Sequence, residues 1–224
     1  MKNFVDWLHA QGVTLSGVQI AEDTGKQRGA FVVAARNLYA GEAIAIIPKH
    51  LILSVRTASS ASVVQRLMEA GCSQSSALNL VIAHERSLKG ASRWHNYLRT
   101  IPPYEPLPLL WKEAELQMLH GTGLEEDART RKRQLQEDYA SIMQFVRSSP
   151  QSNLRSSLLR VSEEQYLFAA TLASSRAFFV DEAHGEALVP FADVFNHKVA
   201  LVPDDATLEG FDGAGKNGDD GDDG

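Results

Sequence analysis

A single cysteine, Cys72, in 224 residues excludes an internal disulfide and any zinc cluster built on several thiolates. The seven histidines are scattered without ligand spacing such as His-x-x-x-His, so no structural metal is expected. Long apolar runs are missing as well: the longest, such as Ala43 to Ile47, fall far short of the roughly 20 residues that a helical membrane span requires. The chain goes straight into Phe4-Val5-Asp6-Trp7-Leu8, with neither the basic-then-apolar layout of a secretory signal nor an Arg/Ser-rich transit stretch. A cytosolic or nuclear address is therefore expected, with a plastid signal further upstream as the alternative. An excess of positive charge is also lacking. The net charge is −6, but from Pro203 onward eight acids face one lysine, a balance of −7, so residues 1–202 sum to about +1. Phosphate binding needs clustered, uncompensated Lys and Arg, so no nucleic-acid partner is expected. The one basic cluster, Arg129, Arg131, Lys132 and Arg133, is flanked by Glu125, Glu126, Asp127, Glu137 and Asp138 and reads as a solvated helix face.

What is present is ample apolar material, 44% of the chain, enough for a sizeable core. Its periodicity changes twice. Phe4, Trp7 and Leu8 predict a short amphipathic helix stopping near Gly12, and short β-type runs follow at Val18–Ile20, Ala30–Ala34, Ala43–Ile47 and Leu51–Leu53. From Thr57 to about Val180 the period is helical. Val63, Val64, Leu67 and Met68 mark one face of a helix, and Leu78, Val81, Ile82 and Glu85 lie in a second. Thr122-Gly123-Leu124-Glu125 and Ser162-Glu163-Glu164-Gln165 fit the capping box, predicting helices through Leu135, Tyr139, Ile142 and Val146 and through Tyr166, Ala169, Ala170 and Leu172. Pro102-Pro103, Pro106 and Pro108 read as a rigid connector. The β pattern returns at Ala187–Phe191, a further apolar run spans Val199–Val202, and residues 203–224 form a Gly/Asp-rich acidic tail expected to be disordered.

Four segments carry candidate chemistry. Leu188 to His197 is an apolar run ending in Pro190 that then delivers Asp193, Asn196 and His197 at i, i+3, i+4. Ala173-Ser174-Ser175-Arg176-Ala177-Phe178 places an arginine after small residues, and its guanidinium suits a carboxylate. Gln27-Arg28-Gly29-Ala30-Phe31-Val32-Val33-Ala34 is a glycine-led entry to a strand. Ser92-Arg93-Trp94-His95-Asn96-Tyr97-Leu98 is an aromatic helix end, read as structural.

In this order the four segments resemble the SET-domain methyltransferases of the Rubisco large-subunit lysine methyltransferase type, which also include the actin-histidine methyltransferase. The resemblance spans nearly all of residues 1–202. It implies an α+β fold: a small β-strand SET core interrupted by a long helical insert, with the C-terminal part of the fold missing. The divisions it implies are residues 1–56, an N-terminal SET β region; 57–180, the helical insert; 181–202, the start of the C-terminal SET region; and 203–224, the tail. The implied activity is S-adenosyl-L-methionine-dependent methylation of lysine, or alternatively histidine, in a non-histone protein substrate.

The implied cofactor-binding residues are Arg28, Gly29, Ala30, Arg176, Asp193, Asn196 and His197. In the family Asn196 would contact the amino-acid end of S-adenosyl-L-methionine, backbone groups of His197 the adenine, Arg176 the carboxylate, and Asp193 the turn or the ammonium. The family loop usually reads Gly-x-Gly, whereas Phe31 stands at the second glycine and Arg28 where an acid is frequent. No tyrosine stands where the family's channel tyrosine belongs, so no catalytic residue is assigned, and the chain is expected to be an incomplete SET domain without methyl-transfer activity of its own. Two functional readings stay open: part of a protein methyltransferase, or a non-catalytic SET fragment that binds protein through its helical insert.

Overall fold

The structure, a computed structural model, describes residues 2–22, 30–150 and 153–195. The expectations for Arg28, Gly29, Asn196, His197, the Val199–Val202 run and the acidic tail lie outside the described residues.

The chain begins with α1 (Lys2–Ala10), which buries Phe4 and Leu8. It ends in a Schellman motif: Gly12 N–H reaches His9 O and Val13 N–H reaches Leu8 O, both at 3.0 Å, and Gly12 supplies the required φ of +86°. Four short strands follow. β1 (Thr14–Leu15) pairs antiparallel with β4 (Ala45–Ile46), and β2 (Val18–Glu22) with β3 (Ala30–Ala34) in the register Ile20↔Val32. Ile20 and Val32 pack on the core, and strand alternation turns Phe31 to the opposite face. Leu51 to Leu53 does not form a strand. Lys49–Leu51 is a 3-10 turn, and Leu53 makes an isolated antiparallel bridge to Leu188. A short apolar run alone cannot distinguish these outcomes.

The helices then run α2 (Ala61–Glu69), α3 (Gln74–Ser87), α4 (His95–Leu98), α5 (Glu113–Leu116), α6 (Leu124–Ser148), α7 (Asn153–Leu158) and α8 (Glu163–Arg176). Helix α3 forms where Leu78, Val81, Ile82 and Glu85 predicted one. Every residue from Ser76 to Glu85 is buried, because α8 packs along it and α2, α4 and α6 also contact it. A helix apolar on all sides is a core helix. Its buried Glu85 is not left bare: Ser59 N–H and Ser92 Oγ–H donate to its two oxygens at 2.8 and 2.6 Å. The Ser162 capping box forms as read, with Gln165 N–H to Ser162 Oγ at 3.2 Å and Ser162 N–H to Gln165 Oε1 at 3.0 Å. The Thr122 box does not. Gly123 occupies the cap of α6, and Thr122 Oγ1 instead donates to Leu119 O at 2.6 Å, closing the preceding turn. On α6, Arg129 is exposed and paired with Glu113 and Glu125.

Helix α8 stops at Arg176, earlier than the period suggested. Phe178–Phe179 forms β5, paired antiparallel with β6 (Glu186–Ala187). Asp181 closes this hairpin by accepting from the Ala183 and His184 amides at 3.0 and 2.8 Å, and Lys49 reaches it at 2.6 Å from the N-terminal β region. Gly185 has φ +62°, and a Cβ there would collide with the Gln74 side chain. Among the described residues the β elements therefore form three two-stranded pieces, not one continuous sheet. The Leu53–Leu188 bridge, with N–H···O distances of 2.9 and 3.0 Å in the two directions, and the Lys49–Asp181 pair join the early and late segments.

Candidate cofactor site

The site is built where the chain turns after Val189-Pro190. Phe191, fully buried and in T-shaped contact with Phe195 at 5.4 Å, has φ +78°, a region bulky side chains avoid. That bend sends the chain into a 3-10 turn over Ala192–Val194, and β3 packs against this turn. Local strain of this kind persists only where the surroundings over-determine it. Here it presents the carboxylate of Asp193 to the end of α8.

Asp193 and Arg176 meet. Nη1 of Arg176 lies 3.5 Å from Asp193 Oδ2, and the Asp193 side chain is wholly shielded from solvent. The same oxygen accepts a 2.9 Å hydrogen bond from the Tyr97 hydroxyl, whereas Asp193 Oδ1 is buried with no hydrogen-bond partner among the described residues. Burial raises the Asp193 pKa above its ordinary value, and the Tyr97 hydrogen bond and the Arg176 charge only partly offset it. Burial likewise pushes Tyr97 well above the ordinary phenol value, with the Asp193 charge adding to it.

Arg176 has a second partner. Its Nε and Nη2 both reach Glu105 Oε1, at 2.8 and 2.7 Å. Glu105 comes from the proline-rich connector and is itself anchored, because its amide donates to Thr171 Oγ1 at 3.0 Å. One edge of the guanidinium fork is thus filled. Among the described residues, Nη1 is held by the long contact to Asp193 alone, beyond the usual hydrogen-bond range.

Trp94 and Tyr97 are buried as expected. Trp94 Nε1 donates to Leu51 O at 2.8 Å, and the Arg93 guanidinium stacks 4.0 Å over its ring. Of the residues singled out from sequence, Arg176 and Asp193 touch, and Ala30 opens the strand that packs on the Asp193 turn. Tyr97's hydroxyl and Glu105 were not anticipated as site groups. Their contacts span 96 and 71 residues of sequence, and the only local signal was a buried-type aromatic and a lone acid among prolines. A separate cavity of about 650 Å³ between α2, α3 and α6 is lined by Cys72, Ser73, Ser76 and Asp138 and shares no residue with this cluster. Among the described residues, no group of three or more His, Cys, Asp or Glu could hold a metal ion, and no helix is long and apolar enough to cross a membrane.

Comparisons with known proteins bear on the fold and on what the chain resembles. No protein-family model matches the chain. It is 28% identical over 215 residues to the chloroplastic fructose-bisphosphate aldolase-lysine N-methyltransferase of Arabidopsis thaliana, covering 96% of this chain and 43% of that protein. It is 30% identical over 197 residues to human N-lysine methyltransferase SETD6, covering 83% of this chain and 41% of that protein. Human actin-histidine N-methyltransferase is 23% identical over 92% of this chain and 36% of its own length. Among solved structures, the SET domain of LSMT bound to lysine and AdoHcy superposes with a TM-score of 0.73 at 24% identity, over 91% of this chain and 45% of that one. Rubisco LSMT bound to sinefungin and monomethyllysine gives the same TM-score. The fold is that of a SET domain. More narrowly, the chain is similar in sequence to part of the aldolase-lysine, SETD6 and actin-histidine methyltransferases. It spans less than half the length of these curated relatives.

Proposed function

We propose that the chain supplies the cofactor-binding half of an S-adenosyl-L-methionine-dependent protein-lysine N-methyltransferase of the SET class, acting on a non-histone protein. Histidine is the alternative acceptor, in keeping with the actin-histidine relative. The observation that carries this reading is the buried Asp193 carboxylate, half-satisfied and set against Arg176.

The residues present fit the amino-acid end of the cofactor. That end carries an ammonium and a carboxylate, and the cluster offers a buried carboxylate oxygen without a donor beside a guanidinium whose Nη1 is weakly engaged. Charge-assisted hydrogen bonds of this type are the strong ones. Ala30, with Arg28 and Gly29 before it, would bring backbone close to the ligand. Asn196 and His197, the residues following Phe195, would contact the amino-acid end and the adenine, as the family resemblance implies. When bound, the cofactor supplies a methyl group on a sulfonium centre, so no metal is needed for the transfer. The chain's own part is to bind, orient and shield. Asp193 fixes the ammonium, Arg176 the carboxylate, and Phe191 holds the turn that sets both, because lost positioning can remove several kcal/mol of rate advantage.

Titration calorimetry tests the reading. S-adenosyl-L-methionine should bind the wild-type chain and lose most of its affinity with Arg176→Ala or Asp193→Ala, both variants remaining folded by circular dichroism. A folded wild-type chain that binds no cofactor overturns it. The second reading, a non-catalytic protein-interaction module, has one observation in its favour: Glu105 already fills an edge of the Arg176 fork. Labelled-methyl transfer by the full-length gene product onto a panel of lysine-rich proteins separates the two. The proposed address, cytosolic or nuclear with the plastid as alternative, is checked by imaging the tagged full-length gene product.

A further inference from the structure

We propose that Tyr97 is a positioning residue for the ligand's amino-acid end: its hydroxyl holds the Asp193 carboxylate by Oδ2, so that the unpartnered Oδ1 is presented to the ligand's ammonium. This rests on the cofactor reading above.

Three features make the contact more than core packing. The Tyr97 ring is fully buried and stacks on Phe4 at a centroid distance of 6.2 Å, a role that phenylalanine would fill without the difficulty of burying a hydroxyl. The ring cannot drift, because Trp94, three residues before it, is tied to the Leu51 carbonyl and Trp94 N–H is hydrogen-bonded to Ser92 Oγ. The carboxylate it meets has one oxygen with two partners and one with none among the described residues, and buried polar atoms are seldom left in that state without a ligand or water.

Four charged or titratable groups bear on Asp193 from the surrounding elements. Tyr97 approaches from α4 and Arg176 from α8. Arg86 of α3 stands behind Tyr97, its Nη1 held 2.9 Å from Pro102 O, and Glu105 of the connector anchors Arg176 from the far side. Arg176 is shared between two carboxylates, whereas the Tyr97 hydroxyl fixes the Asp193 oxygen without competing for the guanidinium.

The test compares three nucleosides on wild type and Tyr97→Phe. S-adenosyl-L-methionine and S-adenosylhomocysteine carry the amino-acid end, and 5′-methylthioadenosine lacks it. Tyr97→Phe keeps the ring and should weaken the first two about tenfold, the scale of one hydrogen bond to a charged group, and leave the third unchanged. An equal loss for all three marks a merely structural tyrosine and overturns the proposal, as does no loss for any. In ligand-free protein, carboxyl-carbon NMR should show the Asp193 midpoint rising when the hydroxyl is removed, because that hydrogen bond holds it down. An unmoved midpoint overturns the contact. If Tyr97→Phe does not fold, the wild-type Tyr97 ζ-carbon must titrate with the Asp193 midpoint, and independent titration overturns the proposal. Wild type that binds none of the nucleosides overturns the cofactor reading together with this ligand. Wild type that binds while Tyr97→Phe fails to discriminate among them overturns this proposal alone.

Discussion

The helical block and the β fringe of this molecule are held by different physics. Around α3 every residue from Ser76 to Glu85 is buried, and α8 lies along it with Tyr166 donating to Ser76 O at 3.3 Å. Burial there pushes the Tyr166 phenol up to about 12. The strands, by contrast, are mostly two residues long, and they leave Ile46, Phe178 and Phe179 exposed. The block supplies stability through close packing. The fringe is held by a few named hydrogen bonds and ion pairs, and it is there, on the turn after Phe191, that the buried Asp193 carboxylate is placed. Rigid core and lightly tied edge divide the work between them.

That contrast can be broken experimentally. Leu80→Ala in α3 should cost about 2–5 kcal/mol by urea unfolding, the range for a cavity in a well-packed core; a loss no larger than that of Ile46→Ala would mean the block is not the stabilising unit. Gly185→Ala should cost less, about 1–3 kcal/mol, because alanine is strained at φ +62° and its Cβ meets Gln74. Hydrogen exchange should show this damage confined to the β5–β6 hairpin; an effect spread through α3 and α8 would erase the distinction.

Asp193→Asn sharpens the comparison at the seam. The folded-state pKa of Asp193 is raised, so the folded protein binds its proton more tightly than the unfolded chain, and stability falls as pH rises from the ordinary carboxylate value through the raised one. The amide removes that loss. The variant should melt higher than wild type at neutral pH and converge with it at acid pH, while binding cofactor worse. A variant that melts lower at neutral pH would show the carboxylate to be a net stabiliser. The smallest effect is expected at Arg129→Ala, whose pairs with Glu113 and Glu125 are solvent-exposed: no measurable shift in thermal midpoint, and less still in high salt.

Much of the helical block and part of the β fringe were legible in the sequence because their signals are local. Phe4, Trp7 and Leu8 fixed α1, Ala30–Ala34 formed the strand predicted, and Ser162 with Gln165 capped α8. The failures share a cause. Ala177-Phe178-Phe179-Val180 continues an apolar pattern without Gly or Pro, and only pairing with Glu186–Ala187 makes Phe178–Phe179 a strand. Leu51–Leu53 looks like a strand until Trp94 claims the Leu51 carbonyl. In the candidate site, Arg176 and Asp193 could be singled out because a guanidinium and a carboxylate near an Asn-His pair carry chemistry on their face. Tyr97 and Glu105 could not, since a hydroxyl's partner is decided by tertiary folding.

The Leu53–Leu188 bridge also sets an order of events. The contacts that assemble the site join residues far apart in the chain: 71 for Glu105–Arg176, 96 for Tyr97–Asp193 and 132 for Lys49–Asp181. Loop closure over such lengths must precede any reward from the contact, whereas helices of the block form from neighbours. Docking α8 on α3 closes a comparable span of 90 residues through Tyr166 and Ser76, but it is backed by a buried helix, whereas the Asp193 turn leans on the isolated bridge between Leu53 and Leu188. Release of that bridge would free the turn while the packed helices stand, so ligand binding is expected to be lost before the block unfolds.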